Sequence, residues 1–371
     1  MRRRIACILG ALALFLPMPA AADAPPAPPP HLSSDAALLL DATSGEVLYA
    51  KSAYVRRSPA STTKLLTALV AVRSGVPLGR VFEVSVQSAA VPGSKAHLRA
   101  GDRYTLRELL EGMLMRSGND AAHAVATSVA PDVESFAERM NRTALEIGAR
   151  QTHFVNPHGL TAAHHYTSAK DLSRIAEAAL GEPEIRRIVA SQELTLTPEG
   201  RAGRPIRNTN SLLGSYLGAD GAKTGTTNAA GKCLVASARR EGVHLIAVVL
   251  RGGDRYGDAR RLLDWGFARD SGALVFARGQ LLGHLPDGRP LVLADRLAGS
   301  FLDGRVLRLR IVRRADGAGH GGISGVALLM RGSEPIAISP LLAPPRPWPW
   351  WLRPVVRLLP RPVDPGSLHS I

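Results

Sequence analysis

Pro59-Ala60-Ser61-Thr62-Thr63-Lys64-Leu65-Leu66-Thr67-Ala68-Leu69 is the stretch on which the reading of this chain turns. Pro59 suits a helix start, and Leu65, Leu66, Leu69 and Val70 supply the apolar face that follows. Residues three apart share one side of a helix, so the Lys64 amine comes within reach of the Ser61 hydroxyl. A serine hydroxyl is a weak nucleophile until a base removes its proton. A lysine can be that base once burial or a nearby cation lowers its pKa. Taken alone, the same pair also reads as a capping serine and a surface lysine, so its companions decide.

Two further motifs stand downstream. Ser117-Gly118-Asn119 lies where a helix breaks, within Met113-Leu114-Met115-Arg116-Ser117-Gly118-Asn119-Asp120-Ala121-Ala122. A break there turns a hydroxyl and a carboxamide into a cleft, although Ser, Gly and Asn also make an ordinary helix cap. Lys223-Thr224-Gly225-Thr226 lies just before a strand that starts near Lys232. A strand edge carrying a glycine lets a substrate backbone lie close beside it, and a plain polar turn is the alternative.

The organisation around these motifs is mixed. Residues 36–40 and 46–50 read as two strands joined by the turn Asp41-Ala42-Thr43-Ser44-Gly45. Residues 85–101 show little period. Helices are expected over 106–115, 121–129, 133–147, with Phe136, Met140 and Leu145 on one side, and 169–180, and residues 153–167 read as a loop. Strands return over 193–196, 232–238 and 244–250, and a helix over 259–268 closes the unit. Strands, then helices, then strands predict an α+β domain whose antiparallel sheet is built from both ends around a helical insert. Past Gly272 short strand candidates alternate with Gly- and Asp-containing turns, which predicts a small all-β domain.

The chain ends suggest an exported protein. Arg2, Arg3 and Arg4, an apolar run from Ile5 to Leu16 and Ala20-Ala21-Ala22 form a signal-peptide pattern over residues 1–22, with a retained membrane anchor as the other reading. Residues 23–34 are a proline-dense lead-in expected to be disordered. Cys7 falls in the signal, which leaves Cys233 without an intramolecular partner and points to a buried structural thiol. The net charge of +15 in an exported chain favours anionic lipid and cell-envelope polymers over nucleic acid. In the tail, residues 343–371, Trp348, Trp350 and Trp351 stand beside Arg353, Arg357 and Arg361. That pattern suits a peripheral membrane-surface anchor, with a disordered tail as the alternative.

Ser-x-x-Lys, Ser-x-Asn and Lys-Thr-Gly in this order are the motif set of penicillin-binding proteins and β-lactamases. The chain resembles the D-alanyl-D-alanine carboxypeptidases, low-molecular-mass penicillin-binding proteins of the S11 serine peptidase family. Phe154-Val155-Asn156-Pro157-His158-Gly159-Leu160, Asn208-Thr209-Asn210 and Leu262-Leu263-Asp264-Trp265-Gly266-Phe267 carry the likeness further, over roughly residues 35–268. The resemblance implies a β-lactamase/transpeptidase-like domain over residues 35–270 and a β-rich domain over 271–342. It implies that Ser61 attacks the penultimate D-alanine carbonyl of a peptidoglycan stem peptide and that neutral Lys64 takes its proton. Ser117 would protonate the departing D-alanine amine, and Asn119 would bind the substrate amide. Lys223, as a fixed positive charge, would keep Lys64 neutral and attract the substrate carboxylate, which Thr224 would bind. The backbone N–H groups of Ser61 and Thr226 would form the oxyanion hole. Arg255 is the candidate for the carboxylate-binding arginine of the family. No cofactor or metal is implied, and β-lactam antibiotics would acylate Ser61.

Other signals add little chemistry. Gly317-Ala318-Gly319-His320-Gly321-Gly322 resembles a phosphate loop in composition only, and no helix opens after it. His158, His164 and His165 lack carboxylate or cysteine partners at metal spacing and read as loop histidines. A β-lactamase is disfavoured because Asn156-Pro157-His158-Gly159-Leu160 offers no glutamate for deacylation. An endopeptidase that cuts peptide crosslinks and a non-catalytic peptidoglycan-binding protein remain as alternatives. Covalent uptake of a labelled penicillin by the unaltered chain and none by Ser61→Ala is the expected result. Labelling of the alanine variant would remove Ser61 as nucleophile.

Overall fold

The structure is a computed structural model that describes residues 28–285, 288–303, 305–313 and 323–343. The signal segment, residues 23–27 of the proline-dense lead-in, residues 314–322 with the glycine loop, and the tail beyond Ala343 lie outside the described residues.

Strands β1 (Ala36–Asp41) and β2 (Glu46–Lys51) form an antiparallel hairpin. A 3-10 turn over Ala60–Thr63 then runs into α1 (Lys64–Val72). Next come β3 (Val81–Glu83), α2 (Val86–Ala90) and β4 (Arg103–Thr105), the two strands pairing with each other. The helical insert continues with α3 (Leu106–Met115), α4 (Asn119–Val129), α5 (Val133–Glu146), α6 (Ala169–Gly181) and α7 (Pro183–Ala190). A hairpin of β5 (Glu193–Leu196) and β6 (Arg204–Arg207) follows. Strands β7 (Ala219–Thr227), β8 (Gly231–Arg240) and β9 (Val243–Gly252) then lead into α8 (Arg255–Arg269).

The main sheet has the order β2-β1-β9-β8-β7, so its strands do come from both ends of the unit. Leu38, Leu40, Val235, Ile246 and Val248 face a core shared with the helical insert. Leu39, Leu234, Leu245, Ala247 and Val249 face a second core under Leu262, Leu263 and Trp265 of α8. Burial on both faces explains why β1 and β9 read as continuous apolar runs rather than alternating ones. Helix α1 is buried from Lys64 to Ala71. A helix apolar all round belongs at the centre of the structure, so it carries its N-terminus into the interior.

Several expectations are corrected. Ser61 sits on the 3-10 turn, and the α-helix itself begins at Lys64. The Lys223-Thr224-Gly225 motif follows its strand-edge reading rather than the polar-turn alternative, since it lies within the nine-residue edge strand β7. Leu145 is 59% exposed, and Ala144 instead lies buried with Phe136 and Met140, because the 3.6-residue period places 136, 140 and 144 on one side. Helix α4 begins at Asn119 and α8 at Arg255, both earlier than expected. The apparently aperiodic stretch after Ser85 holds the short helix α2, opened by the Ser85 side chain accepting from the Ser88 N–H.

Beyond α8, β10 (Asp270–Phe276), β11 (Leu281–His284), β12 (Pro290–Leu293), β13 (Leu297–Leu302), β14 (Leu307–Arg313), β15 (Ile323–Arg331) and β16 (Glu334–Leu342) follow. Five of them form a sheet of order β11-β12-β16-β15-β14, and β10 pairs with β13. Leu291, Leu293, Leu297, Leu307, Ala327, Leu329 and Leu341 give this region its own core. It meets the first hairpin through polar contacts. The Ser300 hydroxyl donates to Asp41 at 2.5 Å, and Arg331 grips the Glu46 carboxylate with two bonds of 2.9 and 2.7 Å.

Asp258 on α8 fastens the start of the described chain. Its buried carboxylate accepts from the Ser33 N–H (3.0 Å), the Ser33 hydroxyl (2.9 Å) and the Ser34 N–H (2.8 Å). Asp258→Ala strands these donors and should cost about 2–3 kcal/mol in denaturant unfolding. A loss under about 0.5 kcal/mol would mean that the clasp adds no stability.

Candidate active site

Three chain segments converge on the 3-10 turn. Ala60 has φ +50°, an uncommon conformation for a non-glycine residue, and it turns Ser61 toward β7. The turn is braced from within, since the Thr62 hydroxyl donates to Pro59 O (2.6 Å) and the Thr63 hydroxyl to Ala60 O (2.8 Å). On β7, a Cβ added at Gly225 would lie 3.0 Å from the Ser61 nitrogen and 3.1 Å from Pro59 O. The strand reaches Ser61 this closely because residue 225 has no side chain. On the other side Gly159, at φ +87°, lies against the Ala60 carbonyl, where any Cβ would overlap it.

Lys64 is wholly buried, and its Nζ has three neighbours: Ser61 Oγ at 2.9 Å, Asn119 Oδ1 at 2.8 Å and the His158 carbonyl at 2.7 Å. The Asn119 Nδ2 donates to Pro92 O at 2.7 Å, which fixes the amide so that its oxygen faces the lysine. Two of the neighbours can therefore only accept. A neutral amine has two N–H bonds and one lone pair. With both N–H bonds taken by carbonyls, the lone pair is left for the Ser61 hydroxyl. A charged ammonium would donate to all three oxygens, so the lone pair faces Ser61 in the neutral form, which burial favours.

The electrostatics agree. Burial pushes the Lys64 pKa well below the usual lysine value, the Lys223 cation lowers it further, and Asp120 opposes the shift. Lys223 is itself brought down to about 7, first by burial and then by Arg255. Both causes oppose the charged form of Lys223, which the expectation of a fixed charge did not include. Lys223 Nζ donates to Thr224 O (3.0 Å), while the Thr224 hydroxyl is 2.9 Å from that of Thr209. Arg255, at the start of α8, reaches over β8 to donate to Gly225 O (3.0 Å) and Thr226 Oγ1 (2.9 Å). Lys223, Thr224 and Thr226 thus lie on one strand, which Arg255 reaches from α8, and β7 is the free edge of the main sheet.

Ser117 stands in the left-handed region at φ +58°, at the break between α3 and α4. It is not among the three groups bonded to the Lys64 amine, so the structure brings Lys64 and Asn119, but not Ser117, into hydrogen-bond contact. Asp120 explains how the break is held. Its buried carboxylate accepts from the Ala96 N–H (2.8 Å) and the Leu98 N–H (3.1 Å). Asn119 N–H in turn donates to Ser94 O at 2.7 Å.

Sequence reasoning assigned no role to Asp120, Thr209 or the His158 carbonyl. Asp120 and Thr209 lay inside quoted motifs, but the last is a backbone group that no side-chain pattern announces. His158 and His165 lie in the loop as expected, and His165 is buried there. Burial and then Lys64 lower His158 to about 3, and burial with His153 lowers His165 to about 4. His165 Nδ1 accepts from the Val155 N–H at 3.1 Å, so its Nε2 carries the proton toward Thr63 Oγ1 at 3.0 Å. Among the described residues no group of three His, Cys, Asp or Glu side chains is placed to hold a metal ion.

Comparison with known proteins gives a consistent picture. The family model for D-alanyl-D-alanine carboxypeptidases, peptidase family S11, matches residues 22–253. The carboxypeptidase DacF of Bacillus subtilis (strain 168) is 33% identical over 67% of this chain and 66% of its own length. The carboxypeptidase DacD of Escherichia coli (strain K12) is 35% identical over 69% of this chain and 68% of its own. The chain thus spans about two thirds of the length of these relatives. The crystal structure of the Streptomyces K15 DD-transpeptidase superposes with a TM-score of 0.63 at 33% identity, over 65% of this chain and 100% of that one.

The Lys64 ε-carbon resonance should titrate well below the usual lysine range. Removing the second cation in Lys223→Met should move that midpoint upward, since one cause of the depression is gone. A midpoint near 10.4, the ordinary lysine value, or one unmoved by the substitution, would contradict the arrangement.

Proposed function

The chain belongs to the D-alanyl-D-alanine carboxypeptidase family of S11 peptidases, and from that premise we propose how its own residues remove the terminal D-alanine from peptidoglycan stem pentapeptides. The observation that carries the proposal is the Lys64 amine, whose two carbonyl partners leave its lone pair to Ser61. Ser61 Oγ attacks the penultimate D-alanine carbonyl as its proton passes to Lys64. The negative oxygen that forms is received by the N–H groups of Ser61 and Thr226. The C–N bond then breaks, and the departing D-alanine amine takes a proton from Ser117, which Lys64 re-supplies. The product is an ester on Ser61, which water cleaves by the reverse use of the same base.

The substrate lies as an extended strand against the free edge of β7, so backbone pairing aligns its scissile bond with Ser61. Its terminal carboxylate is held by the Thr224 and Thr226 hydroxyls, with Arg255 and Lys223 supplying positive charge. That carboxylate also favours protonated Lys223, which strengthens the depression of the Lys64 pKa when substrate is bound. Asn119 both orients Lys64 and offers its amide to the substrate backbone. A β-lactam presents a carboxylate and a strained amide in the same relation and acylates Ser61.

The setting is the cell envelope. The basic, apolar and small-residue order of residues 1–22 supports export to the periplasm, and the tryptophan- and arginine-rich tail supports peripheral attachment to the membrane. Among the described residues no helix is long and apolar enough to cross a membrane. Residues 35–270 are taken as the peptidase unit and 271–342 as a β unit beside it, a division supported by their separate hydrophobic cores.

Release of free D-alanine from a pentapeptide ending in D-Ala-D-Ala tests the proposal, run beside a crosslinked dimer. Stoichiometric penicillin labelling without release would mean a binding protein, and faster cutting of the dimer an endopeptidase. Arg255→Gln should lower kcat/KM roughly tenfold, mainly through KM, because its bonds are to groups that hold the carboxylate. An equal fall in kcat would place Arg255 in the chemical step instead.

A further inference from the structure

A groove of about 760 Å3 opens beside the segment that organises Asn119. Lys95, Arg99, Arg201 and Arg204 line it together with His97, and Asp102 is the one carboxylate among its lining residues. Asp102 is occupied by Arg201, Lys95 donates to Ala89 O at 2.6 Å, and Arg204 donates to Ala96 O. Four cations against one carboxylate leave the groove strongly positive, in a concavity where charge attracts anions more effectively than on an open face.

Its wall is shared with the active site. Pro92 O and Ser94 O fix Asn119, whose Oδ1 holds Lys64, while Lys95, His97 and Leu98 of the same segment face the groove. The Asp120 carboxylate ties Ala96 and Leu98 down between the two. None of the groove cations serves Ser61, Lys64 or β7, so the catalytic arrangement does not account for their gathering.

We propose that this groove is an oxyanion subsite for the cell-wall polymer, taking a carboxylate or phosphate group that lies away from the bond being cut. The inference rests on the peptidase reading above and deepens it. A single short peptide would not use the subsite, whereas a polymer carrying many anionic groups would engage both places at once and gain in effective concentration.

The test compares two substrates of the full-length protein: a short, otherwise neutral acyl-D-Ala-D-Ala peptide, and insoluble peptidoglycan bearing pentapeptide stems. Arg99→Glu combined with Arg201→Glu should leave release from the short peptide unchanged and lower release from the polymer roughly tenfold, with a matching loss of salt sensitivity. Arg308→Glu combined with Arg310→Glu, an equivalent charge change on β14 of the second sheet, should alter neither. Polymer with amidated stem carboxylates and polymer stripped of phosphate then separate the sources. The wild-type advantage over the double variant should vanish in one of them. Equal loss on both substrates, no loss on either, or an advantage that survives in both treated polymers would overturn the subsite. The catalytic reading is tested apart from this by wild-type release from the short peptide. Where none occurs, co-sedimentation with peptidoglycan still reads the groove, and equal retention of wild type and double variant would reject it.

Discussion

An amine without access to solvent must find all its hydrogen bonds inside the protein, and Lys64 sets that condition for the whole site. It stands at the first turn of a helix that is buried on every side, so no water reaches it from the helix face. Two carbonyls, from Asn119 and His158, meet the requirement, and each comes from a different part of the helical insert. Much of the surrounding architecture serves to bring them there. Asn156 accepts from the Gly159 N–H and donates to Leu160 O, which shapes the segment that presents the His158 carbonyl. Pro92 and Ser94 hold Asn119, and Asp120 holds the segment to which they belong. The same confinement that costs solvation is what lowers the lysine pKa and favours its neutral, basic form.

Close approach is the second requirement, and glycines meet it on both sides of Ser61. Gly225 lets β7 lie against the 3-10 turn, and Gly159 lets the opposite loop close on Ala60. Side chains at either position would push the strand or the loop away and open the Ser61–Lys64 contact. The cost is strain at Ala60 and Ser117, both left-handed without being glycine, at the two turns that direct groups into the cleft. Positive charge is layered in the same place. Burial is the main cause that lowers both lysines, with Arg255 adding to the shift of Lys223 and Lys223 to that of Lys64.

Polar contacts join the C-terminal β region to the first sheet. Asp41, Ser44, Glu46, Ser300 and Arg331 form the junction. Asp270 lies nearby with its pKa raised to about 6, chiefly by burial and further by Asp41 and Glu46. Its own apolar core is complete without the helical insert, which gives the junction the character of a docked surface rather than a shared interior.

The sequence alone determined the chemistry and the outline. Ser61, Lys64, Ser117, Asn119 and Lys223 are legible because their types and order are unusual together, and the apolar runs of β1 and β9 mark strands buried on both faces. The α+β layout also follows from the order of periods along the chain. Tertiary structure decided what depends on groups far apart in sequence. The local pattern at Lys223 allowed a strand edge or a turn, and strand pairing decided for the edge. No local pattern shows that Arg255 reaches β7, or that a histidine backbone carbonyl completes the shell of Lys64. The protonation of the two lysines belongs to the same class. Burial and the distances between cations fix it, and both exist only once the strand, the turn and the helical insert are packed together.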